Sequence, residues 1–191
     1  MLDEFKGYVP LDTRVLDFGC GYGRTVAELT ETGYVHVTGI DFSQPLVDRG
    51  RREYPTLDLR AYPGGPLPFE DNSFDAAIML GVFTCMPETK MQAETLLELK
   101  RVLVPGGLLY VNDFLLNRDK RNLDRYKLGH EKHGIYGIFD LPDGGIVRHH
   151  DRNHMEALFF DFDTLTFEEV VFETMNGHHS AGFYCMTRMP E

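Results

Sequence analysis

The chain has 191 residues, 42% of them hydrophobic and 26% charged, the size and composition of one globular domain with a single core. Its 19 Lys and Arg against 30 Asp and Glu give a net charge of −11, so a phosphate backbone would meet repulsion and a nucleic-acid partner is disfavoured. Three scattered cysteines without a C-x-x-C pair, no basic-then-apolar leader and no run of 18 apolar residues argue against a disulfide scaffold and a membrane span, and for a cytoplasmic protein.

Residues 1–10 carry a weak helical pattern, and the apolar run Arg14–Phe18 predicts a first strand. Gly19, Gly21 and Gly23 follow, then a helix over about 23–32 with Gly33 as its stop. Strand, tight turn and helix in that order let a ligand approach main chain that has no Cβ, beside unpaired N–H groups of a helix N-terminus. The spacing is G-x-G-x-G, and the third glycine of the dinucleotide pattern falls on Arg24, which leans away from NAD. A second strand, 34–40, leads to Asp41, about 20 residues past the glycines, where a bidentate acceptor suits the two hydroxyls of a ribose. An adenosine-bearing ligand is implied.

Ser43 and Pro45 predict the start of a helix reaching about Glu53, and Pro55 ends it. A third strand spans 57–62. The continuous apolar run 76–80 reads as a central strand buried on both faces, and its outgoing loop, 81–86, lies at the carboxyl edge where open α/β sheets bind ligands. A helix over 89–103 has Ala93, Leu96, Leu97, Leu99 and Leu103 as its apolar face. Pro105, Gly106 and Gly107 then turn the chain into a fifth strand, 108–114, with Asp113 at the same edge.

The runs VLDFGCGYGR (15–24), GIDFS (39–43), LPFEDNSFD (67–75) and LKRVLVPGGLLYV (99–111) resemble, in order, the motifs of the class I S-adenosylmethionine-dependent methyltransferases. The resemblance implies one methyltransferase domain over 1–191: an α/β, Rossmann-like doubly wound sheet of five parallel strands plus a C-terminal antiparallel pair, with a hairpin insertion after strand five. It implies S-adenosylmethionine as cofactor. Gly19, Cys20 and Gly21 would face its methionine part, Asp41 the ribose, Phe42 the adenine, and Gly81, Val82 and Phe83 the sulfonium edge, while Asp17 would steady the loop and, through water, the ammonium end. The family places an acid after strand three for the adenine amino group, but 61–66 carries none, so main chain and apolar walls, Tyr62 first, would hold the base. About a dozen residues precede strand one, which predicts a site more open than the family norm or one covered by a second subunit of a homodimer.

Beyond Phe114 the template fades. Residues 118–133 read as a charged, solvated helix and 135–147 as a hairpin around Pro142, Asp143, Gly144 and Gly145, a lid over the substrate mouth. Asp151 caps a short helix with Met155, Leu158, Phe159 and Phe162 inward, and two strands, 164–173 and 181–189, joined by 175–180, close the chain.

Methyl transfer from an activated sulfonium is an in-line displacement in which alignment can supply roughly 7–11 kcal/mol, so the sequence identifies the donor better than the acceptor. Where a base is needed, His150 is the candidate: a helix N-terminus and Arg148 both disfavour imidazolium. Phe83, Asp113, Tyr136, Arg148 and His149 are the expected substrate-facing residues, suggesting a small, partly aromatic or anionic acceptor. His150 with His154, or His178 and His179 with Cys185, lack a third partner at metal-site spacing, so no metal is expected. Cys85 is a lining residue before it is a nucleophile. Two alternatives stand beside a small-molecule methyltransferase: a non-catalytic module binding S-adenosylmethionine or S-adenosylhomocysteine, and an NAD-dependent oxidoreductase resting on the glycine loop alone.

Overall fold

A computed structural model describes residues 2–173 and 177–191. Nine strands and six helices alternate along it: α1 Asp3–Tyr8, β1 Arg14–Phe18, α2 Arg24–Glu31, β2 His36–Asp41, α3 Gln44–Glu53, β3 Asp58–Ala61 and β4 Phe74–Leu80. A 3₁₀ turn, Phe83–Cys85, precedes α4 Thr89–Val102 and β5 Leu103–Phe114. Then come α5 Lys120–His133, β6 Ile138–Asp140, β7 Ile146–Arg148, α6 Arg152–Leu158, β8 Asp163–Glu173 and β9 His179–Arg188.

Seven strands form one sheet in the order β3-β2-β1-β4-β5-β9-β8; the first five run parallel, and β9 lies antiparallel to both β5 and β8. This is the doubly wound sheet that the strand alternation predicts, with the terminal antiparallel pair that the resemblance implies. Because side chains alternate across a strand, two cores result. Val15, Ala76, Ile78 and Tyr110 meet α1, α2 and α3 through Phe5, Val26 and Val47, whereas Leu16, Ala77, Met79 and Val111 meet α4 and α6 through Leu96, Leu99 and Met155. Each buried Val, Leu, Ile, Phe or Met side chain among them contributes about 1.5–3 kcal/mol. The short α1 belongs to the first core, with the Phe5 ring beside Tyr34 and Tyr110.

Several expectations change. Ser43 holds the N-cap position of α3 but its side chain makes no cap bond. Pro105-Gly106-Gly107 is a bulge within β5 rather than a turn before it: Phe74 pairs with Leu103 and Ala76 with Leu108. On α4, Ala93 and Leu97 are exposed and Gln92 is fully buried, so the inward stripe is 92, 96, 99. Nor is α5 merely a solvated surface: Asn122, Tyr126 and Gly129 are buried, and β6 comes so close that a Cβ on Gly129 would lie 1.7 Å from the Ile138 carbonyl oxygen. Ile135 and Tyr136 fall outside the hairpin strands. The expected connection 175–180 lies partly outside the described residues. Asp151 does cap α6, accepting the Asn153 N–H, with Met155 and Phe159 buried beneath.

Candidate functional site

The carboxyl ends of β1, β2 and β4 converge on one edge, and Asp41 organises it. The Ile40 carbonyl accepts the N–H groups of Gly19 and Cys20 at 2.8 and 2.9 Å, and the Asp41 carboxylate accepts those of Gly21 and Ser43, both at 2.8 Å. Gly19 has φ +82, and a Cβ there would lie 2.6 Å from Val82 Cγ2, so the turn after β1 and the loop after β4 touch only because residue 19 is glycine.

Beside this turn opens a cavity of about 830 Å³, within the usual range for a cofactor or metabolite. Gly19, Asp41, Phe42, Tyr62, Gly81 and Val82, six of the residues expected at the cofactor, line it. Phe42 is 75% exposed, a bare aromatic face, while Tyr62 packs edge-on against Phe18 and donates its hydroxyl to the Gly65 carbonyl. The opposite wall comes from the turn after β4 and from the outward face of α4: Cys85, Met86, Met91, Glu94, Thr95 and Glu98. Those α4 residues were missed by pattern reading, although 91, 94, 95 and 98 form an i, i+3, i+4, i+7 stripe that flanks the buried one.

Three predicted cofactor residues stand behind the lining. Gly21 holds the turn through Asp41. Cys20 turns its side chain inward onto Gly39, and burial, with Asp17 and Asp41 nearby, pushes its thiol up. Asp17 is 2% exposed, and its Oδ2 has no hydrogen-bond partner; burial, then the neighbouring Asp41, push its carboxyl up to about 7. An unpartnered buried acid oxygen is costly unless a donor reaches it. A bare aromatic face, a two-oxygen acceptor, open space where a Cβ on Gly21 or Gly81 would project, and the orphaned Asp17 oxygen together fit a nucleoside carrying an ammonium group.

The expected substrate-facing group does not line the cavity. Phe83 is fully buried against His150 and Phe159. Asp113, 1% exposed, accepts the N–H groups of Thr84 and Phe114, so it anchors the 3₁₀ turn; burial pushes its carboxyl up to about 7. Tyr136 packs on Tyr126. Arg148 is buried and donates to the Pro87 carbonyl and to Thr89 Oγ1, tying β7 to the start of α4. His149 lies under the Phe114 ring with Nδ1 2.6 Å from the Tyr126 hydroxyl. Burial pushes both His149 and His150 down to about 3, with Arg125 and Arg148 respectively adding to it.

His150 is neutral, as the sequence predicts, but not as a base at the mouth. Gln92 donates from Nε2 to the Met86 carbonyl at 2.6 Å and bridges to His150 Nε2 at 2.8 Å, while its Oε1 accepts from His154 Nε2 at 2.8 Å. With Gln92 Nε2 as donor, His150 Nε2 is assigned as the acceptor and the proton to Nδ1, which is buried without a hydrogen-bond partner. The hairpin therefore braces the wall from behind instead of covering the entrance. Among the described residues no three His, Cys, Asp or Glu side chains converge on a metal-binding geometry, and no helix is long and apolar enough to cross a membrane.

Comparison with known proteins adds to this geometry. A family model described as "Methyltransferase domain" matches residues 16–111. A demethylmenaquinone methyltransferase of Beutenbergia cavernae is 40% identical over 102 residues, 53% of this chain and 40% of that protein. A probable tRNA methyltransferase 9B of Bos taurus is 31% identical over 111 residues, 58% of this chain and 23% of that protein. The chain thus spans well under half the length of either curated relative. A crystal structure from Methanosarcina mazei, described as a SAM-dependent methyltransferase, superposes with a TM-score of 0.93 at 26% identity, covering 100% of this chain and 98% of that one.

Proposed function

The chain belongs to the methyltransferase-domain family, and from that premise we propose that it transfers the methyl group of S-adenosylmethionine to a small-molecule acceptor that is neutral or cationic. The observation that carries the acceptor class is the charge of the cavity. Its carboxylates are Asp41, which the donor takes, Glu94 and Glu98, and among the described residues no lysine, arginine or histidine lines it to pair with an anion. A polynucleotide needs phosphate partners, and an anionic metabolite needs at least one cation. Arg148, the cation expected from sequence, is spent on Pro87 and Thr89. Met86, Met91, Val82 and Leu97 give the cavity a mostly apolar, adaptable surface suited to an alicyclic or aromatic body.

When bound, the donor supplies a methyl group already activated by its sulfonium. The chain's residues then bind and orient: Asp41 takes the ribose hydroxyls, Phe42 and Tyr62 flank the base, and Asp17, behind the lining, answers the ammonium end through water. Positioning of this kind supplies roughly 7–11 kcal/mol without a dedicated base. Three free cysteines, two of them buried, support a reducing, cytoplasmic setting.

The test uses calorimetry with S-adenosylhomocysteine and NAD side by side, then radiolabelled methyl transfer into fractionated metabolites and, separately, into tRNA. Binding of the nucleoside thioether and labelling of a metabolite are expected. Binding of NAD alone, or labelling of tRNA alone, would overturn the reading, and donor binding with no labelled acceptor would favour a non-catalytic module.

A further inference from the structure

The donor proposed above carries an adenine, whose exocyclic amino group is a hydrogen-bond donor that an apolar pocket must satisfy. The loop nearest the expected base, Tyr62 to Pro66, brings no acid, and the Tyr62 hydroxyl is committed to the Gly65 carbonyl. Across the cavity, α4 brings two. Glu94 is 62% exposed at the rim and sits loosely beside Lys90 at 3.7 Å. Glu98 is different: its Oε2 accepts the Leu67 N–H at 2.7 Å and Arg101 Nη2 at 2.8 Å, and Oε1 takes Arg101 Nε at 3.1 Å.

We propose that Glu98 Oε1 accepts the adenine amino group from the α4 side of the cavity and so makes the site selective for a 6-amino over a 6-oxo purine. This rests on the donor reading above. Oε2 accepts from Leu67 N–H, Arg101 Nη2 and, at 3.3 Å, Arg101 Nε, whereas Oε1 accepts only from the same shared Nε–H and keeps a lone pair for a further donor. The clamp from Arg101 and Leu67 removes the rotamer entropy that a free glutamate would lose on binding. The Arg101 guanidinium also holds the Glu98 carboxyl below its usual range, so the acceptor is ionised at any neutral pH. Glu98 and Tyr62 line the same cavity, Glu98 from α4 and Tyr62 from the loop after β3, so a base held there has both walls beside it. A 6-oxo purine would aim its carbonyl oxygen at this carboxylate and be repelled.

The experiment is titration calorimetry of the wild-type chain with S-adenosylhomocysteine and S-inosylhomocysteine, repeated for Glu98→Gln and Glu94→Gln. Wild type should favour the adenosyl compound by about 10- to 100-fold, the range of one hydrogen bond to a charged group. Glu98→Gln, whose amide offers both an acceptor and a donor, should bring that ratio close to one, and Glu94→Gln should keep it. A merely structural Glu98 would weaken both ligands by the same factor, and an unchanged ratio in folded Glu98→Gln overturns the proposal. Should that variant fail to fold, Glu98→Asp keeps the charge but withdraws it by a methylene, and a retained ratio there overturns it equally. If wild type binds neither compound, the donor reading fails first and this inference with it.

Discussion

Asp41 Oδ2 accepts the backbone N–H of Gly21 at 2.8 Å, so the acid at the end of the second strand also fixes the glycine turn that follows the first. Removing its side chain costs more than ligand contacts. Asp41→Ala should weaken S-adenosylhomocysteine by at least tenfold, since each charged hydrogen bond is worth about 1.5–3 kcal/mol, and should also lower thermal stability because the Gly21 and Ser43 N–H groups lose their acceptor. Asp41→Asn, which keeps one acceptor, should fall between. Calorimetry and thermal melts of the two variants check this; full affinity in a folded Asp41→Ala would remove Asp41 from the ribose.

His149 and His150 should not titrate in the neutral range. Burial holds both near 3, so their ring proton resonances should be constant from pH 5 to 8 in a two-dimensional NMR titration. A midpoint near 6.5 for either ring would show that it is solvated, contrary to the buried positions described.

Stability should depend on pH through opposing pairs. Asp17 and Asp113 are raised from 3.8 to about 7, so the stability they contribute is fully present below about 4 and is lost as pH rises through about 7. His149 and His150 are lowered from 6.5 to about 3, so theirs is present above about 6.5 and lost on acidification. Between those limits the two trends oppose each other. Asp113→Asn removes one member of the acid pair, and its stability should fall more steeply than wild type on going from pH 6.5 to 4.5. Urea melts at several pH values measure the slopes; parallel curves would mean that Asp113 is already ionised in the fold.

The α5–hairpin unit should prove separable from donor binding. Gly129→Ala drives a Cβ into the Ile138 carbonyl, and overpacking of this kind costs about 1–3 kcal/mol, or roughly 2–4 °C of Tm per kcal/mol in a chain this long. S-adenosylhomocysteine affinity should be unchanged, because the hairpin does not line the cavity. Replacing residues 143–145 by a β-branched run should likewise spare donor affinity; its effect on turnover measures how far the brace through Arg148 reaches the wall. A matching loss of donor affinity in both variants would place the hairpin at the cofactor after all.

What the sequence made legible was local. The first strand, the glycines and Asp41 lie where a short apolar run, a positive-φ turn and a bidentate acid put them, because each depends on residues within a few positions of itself. The second wall was not legible. An outward helical stripe such as Met91, Glu94, Thr95 and Glu98 looks like any solvated face until something stands opposite it, and what stands opposite is a loop about 30 residues earlier. Arg148, His149 and His150 misled for the same reason: three polar residues after a turn read as a mouth, whereas Tyr126, Gln92 and Pro87, drawn in from other elements, bury them.

The order β5-β9-β8 also bears on how the chain is made. β8 emerges first, yet among the described residues its sheet partner is β9 alone, and β9 is the strand that pairs with β5. Until β9 has been synthesised, β5 presents a bare edge and β8 has nothing to join. The pair must therefore zip into a hairpin and dock as one unit, or β9 must dock and β8 follow. In either case the open edge of β5 is the stretch most exposed to mispairing on a stalled or slowly translated chain.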